Sequence, residues 1–236
     1  MADSKTFVSK SYKTSRYRIR DRSGFISRVY RHLLGAVLIV IFLEVILFQA
    51  GIAQPLSQKM LKAPWLLILA ALHLVGWLAR RMTYRAQSLV AQYGGLAIYI
   101  VAKTAIIMPL LYLADTKVSG VIQNAAQFTI IGFLGLTWVA FSTRKDFNFL
   151  RAFLRWGGFI AIGLIVVAVV YRFHLGIWFN IGVIALAGTA ILYDTSSIIR
   201  RYREDRYVAA ATALFASVAL MFWHALRMFQ RLAKQG

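Results

Sequence analysis

Cysteine is absent from the 236 residues. That excludes disulfides, thiol nucleophiles and Cys-ligated metal sites. Acidic residues are scarce, with 8 Asp and Glu against 28 Lys and Arg, a net charge of +20. The chain also lacks the motifs of nucleophilic, zinc-hydrolase and nucleotide chemistry: it has no G-x-S-x-G, no H-E-x-x-H and no Walker A segment. Its 4 histidines are scattered over different segments and show no metal-ligand spacing. Neither enzymatic activity nor a cofactor is expected. A positive charge this large suggests nucleic acid in a soluble protein, but helix-turn-helix, zinc-finger and RNA-binding signatures are all missing, so nucleic acid is not an expected partner. The first 24 residues contain no apolar core, so no cleaved secretory signal is expected. They are rich in Arg, Lys and Ser, as a mitochondrial presequence is, although Asp3 and Asp21 count against that reading.

Apolar surface is abundant. Hydrophobic residues make up 60% of the chain and charged residues 15%, where a soluble domain is nearer 45–50% and 25%. The apolar residues fall in recurring runs separated by short polar pieces, and about 20 apolar residues of helix cross a bilayer core of about 30 Å. The fold class expected is an all-α integral membrane protein, a bundle of about seven transmembrane helices. Residues 1–32 read as a basic cytosolic tail and interfacial helix start, disordered or surface-bound over 1–24, and residues 33–236 as the bundle. The spans run over Leu33–Ala53, Met60–Ala79, Ser88–Leu113, Val121–Ser142, Ala152–Tyr171, Leu175–Tyr193 and Val208–Leu226. Only Arg172-Phe-His174 separates the fifth from the sixth, which predicts a tight helical hairpin.

The basic residues alternate along this plan. The tail through Arg31 is rich in them, and alternate loops add Arg80, Arg81 and Arg85, then Arg144, Lys145, Arg151 and Arg155, then Arg200, Arg201, Arg203 and Arg206. The other side carries Lys59, Lys62, Lys117 and Arg172, with Arg227, Arg231 and Lys234 after the last span. The positive-inside rule then puts the N-terminus in the cytosol. Membrane lipids are the expected contacts of the tail's cations, Arg16, Arg18, Arg20 and Arg22. Seven crossings place the C-terminal cations on the wrong side, so either they sit at the interface or the last helix does not cross fully.

Ionisable groups inside spans are costly and mark candidate sites. Glu44 lies roughly 16 Å into the first span, and Lys103 at similar depth in the third. They read as a buried ion pair or as cavity groups that gate or relay protons. Asp194 ends the sixth span, roughly 9 Å short of Arg200. It faces the negative end of the helix macrodipole and is partly out of water, and both effects penalise its charge. His73 reaches a similar depth in the second span and is either a packing residue or a hydrogen-bond partner for Asp194. His224 reads as a packing residue. Gly94-Gly95, Gly132, Gly135, Gly157-Gly158 and Gly188 let helices approach closely, and Pro109 is expected to kink the third span.

Three segments then carry a resemblance. Thr143-Arg-Lys-Asp-Phe-Asn-Phe-Leu150, Ala190-Ile-Leu-Tyr-Asp-Thr-Ser-Ser-Ile-Ile199 and Glu204-Asp-Arg-Tyr-Val208 resemble the Bax inhibitor-1 family, most of all its bacterial YccA branch. The entry to the first span, Phe25, Val29-Tyr30 and Leu34-Gly35, is similar too. The resemblance implies a seven-helix fold with a cytosolic N-terminus in a bacterial inner membrane; an organelle membrane is the alternative. Some members of the family are pH-sensitive calcium leaks built on two facing aspartates. Asp194 matches the first of these, while the second position, counted from Arg227, falls on Ser217. A serine cannot share a proton or hold a divalent cation as a carboxylate does. The YccA branch instead resembles a modulator of the FtsH-type AAA protease, engaged through its N-terminal tail. Two functions are therefore carried forward: a protease modulator, and a leak for calcium or protons.

Overall fold

The computed structural model describes residues 4–62, 65–86, 88–117, 120–143, 145–173 and 175–234, without the side chains of 4–21, 65–67, 69 and 117. Among the described residues there are eight α-helices and no strand: α1 (Ser4–Gln49), α2 (Ala53–Lys62), α3 (Trp65–Arg85), α4 (Leu89–Lys117), α5 (Val121–Thr143), α6 (Leu150–Val170), α7 (Ile177–Arg200) and α8 (Tyr207–Leu232). Short 3₁₀ turns at Phe147–Phe149 and Glu204–Arg206 lead into α6 and α8. Six segments are long and apolar enough to span a membrane: Arg22–Gln49, Leu89–Thr116, Val121–Thr143, Phe147–Val170, Ile177–Arg200 and Glu204–Leu232. The second expected span corresponds to α3, whose 21 residues reach about 31 Å. The protein is an integral membrane protein.

The termini of several spans differ from the expectation. The tail is not separate from the first span: α1 is one helix of 46 residues. It ends at Gln49 rather than Ala53. There Gly51, at φ 70°, closes a left-handed cap in which Gly51 N donates to Phe48 O and Ile52 N to Leu47 O. The chain then forms the short α2 before the next crossing, so the second span starts at Trp65, not Met60. Pro55 is tolerated in α2 because first-turn N–H groups have no intrahelical partner. α4 continues unbroken through Pro109.

α8 is the axis of the bundle. It packs on α1, α3, α4, α5 and α7, whereas α6 packs on α7 at the periphery. The reason is written in side-chain size. α8 presents Ala209, Ala210, Ala211, Leu214, Ser217, Ala225 and Leu226 as buried residues, and small residues let helix backbones approach where lipid supplies no hydrophobic drive. α6 instead exposes Phe153, Trp156, Phe159, Ile162 and Val166, as a lipid-facing helix does. On α1 the buried Phe25, Val29, Leu33, Ala36 and Val40 recur at three- and four-residue spacing, one face of a helix. Of the glycines expected to serve packing, Gly95 is the strictest. A Cβ there would lie 2.2 Å from Thr83 Oγ1 and 2.8 Å from Ala79 O, so α3 and α4 meet backbone to side chain. Gly132 and Gly188 lie close to Met221, while Gly135 and Gly158 face open space.

The last helix runs the length of the bundle. At its start Arg206 donates to the carbonyls of Tyr84 (3.2 Å) and Ala86, beside the end of α3. At its other end Gln230 Nε2 donates to Leu110 O (3.0 Å) near the end of α4. The turns α3–α4 and α7–α8 therefore share one end, to which the Arg201–Asp146 ion pair also ties the α5–α6 segment; it is here called the basic end, and the C-terminal cations lie at the far end.

Candidate functional site

Asp194 sits in α7 six residues before its end, and α8 brings Ser217 opposite it. Ser217 Oγ donates to Asp194 Oδ2 at 2.6 Å. Ser217 is buried and Asp194 half-buried. The pairing expected from the resemblance is thus geometrically present, with a hydroxyl in the second position. A hydroxyl satisfies one carboxylate lone pair but adds no second negative charge. The cation that acts electrostatically on Asp194 is neither Arg200 nor Arg201. Arg80 of α3 lies within electrostatic reach of Asp194, and also of Tyr99, Lys103 and Tyr202. In sequence Arg80 reads only as a topology signal. No sequence signal marks it, because Arg80 is exposed on α3 beside the buried Gly76, Ala79 and Thr83, and its reach depends on how α3 packs on α4. Tyr202, in the turn beyond α7, closes the group. Burial, then the charge of Asp194, raises its phenol above its ordinary pKa.

The other candidates are not drawn into this group as expected. Lys103 and Glu44 do not form an ion pair. Lys103 Nζ lies 5.4 Å from the centre of the Tyr99 ring, and Glu44 is 6% exposed with both carboxylate oxygens lacking a hydrogen-bond partner. Glu44 is buried in the bundle, while Lys103 lies against the Tyr99 ring of its own helix and within electrostatic reach of Arg80. His73 is exposed on α3. Its electrostatic neighbour on α8 is His224, and the hydrogen-bond partner of Asp194 is Ser217. His224 itself is a pairing residue that the sequence did not reveal: its Nδ1–H donates to Asn180 Oδ1 (3.0 Å) inside the α7–α8 contact.

Arg22 is not a free contact for lipid or partner. Its Nε donates to Ile199 O (2.8 Å), its Nη1 to Tyr202 O (2.7 Å) and its Nη2 to Ile198 O (2.9 Å). One guanidinium thus caps the C-terminus of α7, where the last carbonyls lack intrahelical donors and the macrodipole is negative. The side chains of Arg16, Arg18 and Arg20 lie outside the described residues.

The segment following α5 is tied to the same helix end. Arg201 Nη2 bonds both carboxylate oxygens of Asp146 (2.5 and 2.7 Å), and its Nη1 bonds Asn148 Oδ1. Asp146 also accepts from Asn148 N (3.1 Å), starting the 3₁₀ turn. Phe147 N donates to Ser196 Oγ (3.2 Å). The Arg201 hydrogen bond holds the Asp146 carboxyl below the ordinary carboxylate range. Two of the segments carrying the resemblance, 143–150 and 190–199, are therefore the two halves of one joint.

Comparison with known proteins agrees with this architecture. A family model described as "Inhibitor of apoptosis-promoting Bax1" matches residues 22–234. An uncharacterised protein of Pseudomonas aeruginosa is 31% identical over 120 residues, covering 50% of this chain and 54% of that protein. Protein LIFEGUARD 4 of Arabidopsis thaliana is 32% identical over 117 residues, 47% of each chain. An uncharacterised membrane protein of Vibrio cholerae is 29% identical over 109 residues, 43% of this chain and 46% of that protein. The chain spans about half the length of the curated relatives it matches.

Proposed function

This chain belongs to the Bax inhibitor-1 family, and on that footing we propose that it modulates an FtsH-type ATP-driven membrane protease from a bacterial inner membrane, with its basic end in the cytosol. The observation that carries this reading is the Asp194–Ser217 contact at 2.6 Å. A leak gated by two carboxylates depends on their mutual repulsion and shared proton, and a hydroxyl offers neither. Two cavities, of about 450 and 170 Å³, are lined by neither Glu44 nor Asp194, so they do not join these groups into one polar path. A modulator needs only surfaces, and α1 supplies one. Its first 18 residues, 4–21, precede the apolar segment Arg22–Gln49 and extend the helix by about 27 Å. They are strongly basic and offer a handle at the side where a cytosolic AAA ring would work.

Deleting residues 2–21 tests this, because the deletion stops short of Arg22 and leaves the α7 cap intact. Co-purification of a membrane-anchored AAA protease with the truncated chain should fall several-fold while the melting temperature of the bundle is kept. Unchanged co-purification would remove the tail from the proposal. A second reading, a proton or calcium leak, is favoured by Glu44, a buried carboxyl without a hydrogen-bond partner in a span. Liposome flux that responds to pH and is lost in Asp194→Asn would put that reading first.

A further inference from the structure

At the far end of the bundle, α2, α3, α4 and α8 enclose a slot of about 170 Å³. Its walls include Met60, Ile68, Pro109, Leu113 and Trp223, all apolar, and one cation, Arg227. We propose that this slot binds an anionic phospholipid of the far leaflet, with part of an acyl chain against the apolar walls and the phosphate on Arg227.

Arg227 carries five N–H donors and can never be neutral in practice. Among the described residues the ion pairs use Arg201, Arg203 and Arg206. Arg227 has no described hydrogen bond or carboxylate partner, only the Trp223 ring with its centre 6.0 Å away. A guanidinium left this way inside a span is expensive, so its acceptor comes from outside the chain. Its depth selects the acceptor. Arg227 is five residues from the end of α8, about 8 Å below it, where headgroup phosphates meet hydrocarbon. Phosphate suits the planar fork of arginine.

The surroundings match an anion with a tail. Arg231 lies one turn further along α8 and acts electrostatically on Arg227, and Lys59 and Lys62 lie in the last turn of α2 beside the slot-lining Met60 and Leu61. The acids nearest that end are Asp115, exposed near the end of α4, and Glu44, buried on α1. The slot is also held open. Gln58 Nε2 donates to Tyr112 Oη (3.0 Å), fixing α2 on α4, and the Gln230–Leu110 bond fixes α8 on α4.

Trp223 is a reporter already in place. The full chain is reconstituted in phosphatidylcholine vesicles containing a small fraction of lipid brominated on its acyl chains, either phosphatidylglycerol or phosphatidylcholine. The Trp223 signal is the difference between this chain and its Trp223→Phe variant. The brominated anionic lipid should quench that signal roughly threefold more than the brominated neutral one, and Arg227→Gln should equalise them. Unbrominated phosphatidylglycerol should relieve the quenching, and inorganic phosphate should not. This competition needs no change at Arg227, so it decides the matter even if that variant fails to fold. Equal quenching by both lipids overturns the proposal. Relief by inorganic phosphate overturns it in favour of a free-anion site. Protection from both lipids overturns it in favour of a second protein copy covering the slot.

Discussion

The two ends of the bundle are stitched in different materials. At the basic end, arginines do the joining: Arg22 onto three carbonyls of the α7 terminus, Arg201 onto Asp146, and Arg206 onto the carbonyls at the end of α3. Toward the far end the cross-links are neutral, namely Gln58 to Tyr112, Gln230 to Leu110, and His224 to Asn180. Among the described residues, the cations there form no ion pair. Charge-assisted bonds are about twice as strong as neutral ones, so the basic end should be the rigid end. Residues that count statistically as topology signals are at that end also structural fasteners.

The comparison can be broken most severely at Arg22. Arg22→Ala should lower the unfolding free energy by about 3 kcal/mol, since it removes several hydrogen bonds made by a charged donor, and Arg22→Lys should recover only part of it. Unchanged melting in detergent would mean that α7 is held by other contacts. Next comes the far half: His224→Ala should cost about 2 kcal/mol by leaving the Asn180 amide unpaired. Replacing both partners with apolar residues, Asn180→Leu with His224→Phe, should restore most of that; a double variant as unstable as the single would show that the pair is more than a local bond.

A smaller effect is expected at Asp146. Because its carboxyl is held below the ordinary range by Arg201, its contribution to stability is complete above the ordinary carboxylate pKa. It is lost as pH falls through the lowered value. Asp146→Asn should abolish this acid-side step and speed amide exchange at Phe147 and Asn148, and an acid limb identical in the variant would assign the step to another group. The smallest effect is at the α6–α7 turn. There Arg172, at φ 54°, occupies the left-handed position that Gly51 fills after α1. Arg172→Gly should raise stability by up to about 1 kcal/mol, read as a small rise in melting temperature.

The crossings were legible because hydropathy reports total apolarity. Val121–Ser142 was expected and α5 runs Val121–Thr143. The same measure says nothing about direction, which is why Glu44 and Lys103 looked like a pair and lie apart. Asp194 opposite Ser217 came from the resemblance, since a hydroxyl in an apolar helix carries no signal of its own. Arg22 could not be read at all: its acceptors are backbone carbonyls 176–180 positions away, and carbonyls leave no trace in residue type. α2 was hidden because its two ends fell in neighbouring apolar runs and residues 54–59 in the polar piece between them, and what separates it from α1 is the backbone turn at Gly51.

That separation along the chain has a consequence in time. Arg22 is made early and its acceptors near the end of synthesis. At about 5–20 residues per second, an interval on the order of ten to forty seconds passes before Ile198, Ile199 and Tyr202 exist. During that interval the first helix must rest in the bilayer with its guanidinium satisfied by water or headgroups. Closing the cap is therefore a late act of assembly. A chain truncated before residue 198 would insert its early helices yet never lock them.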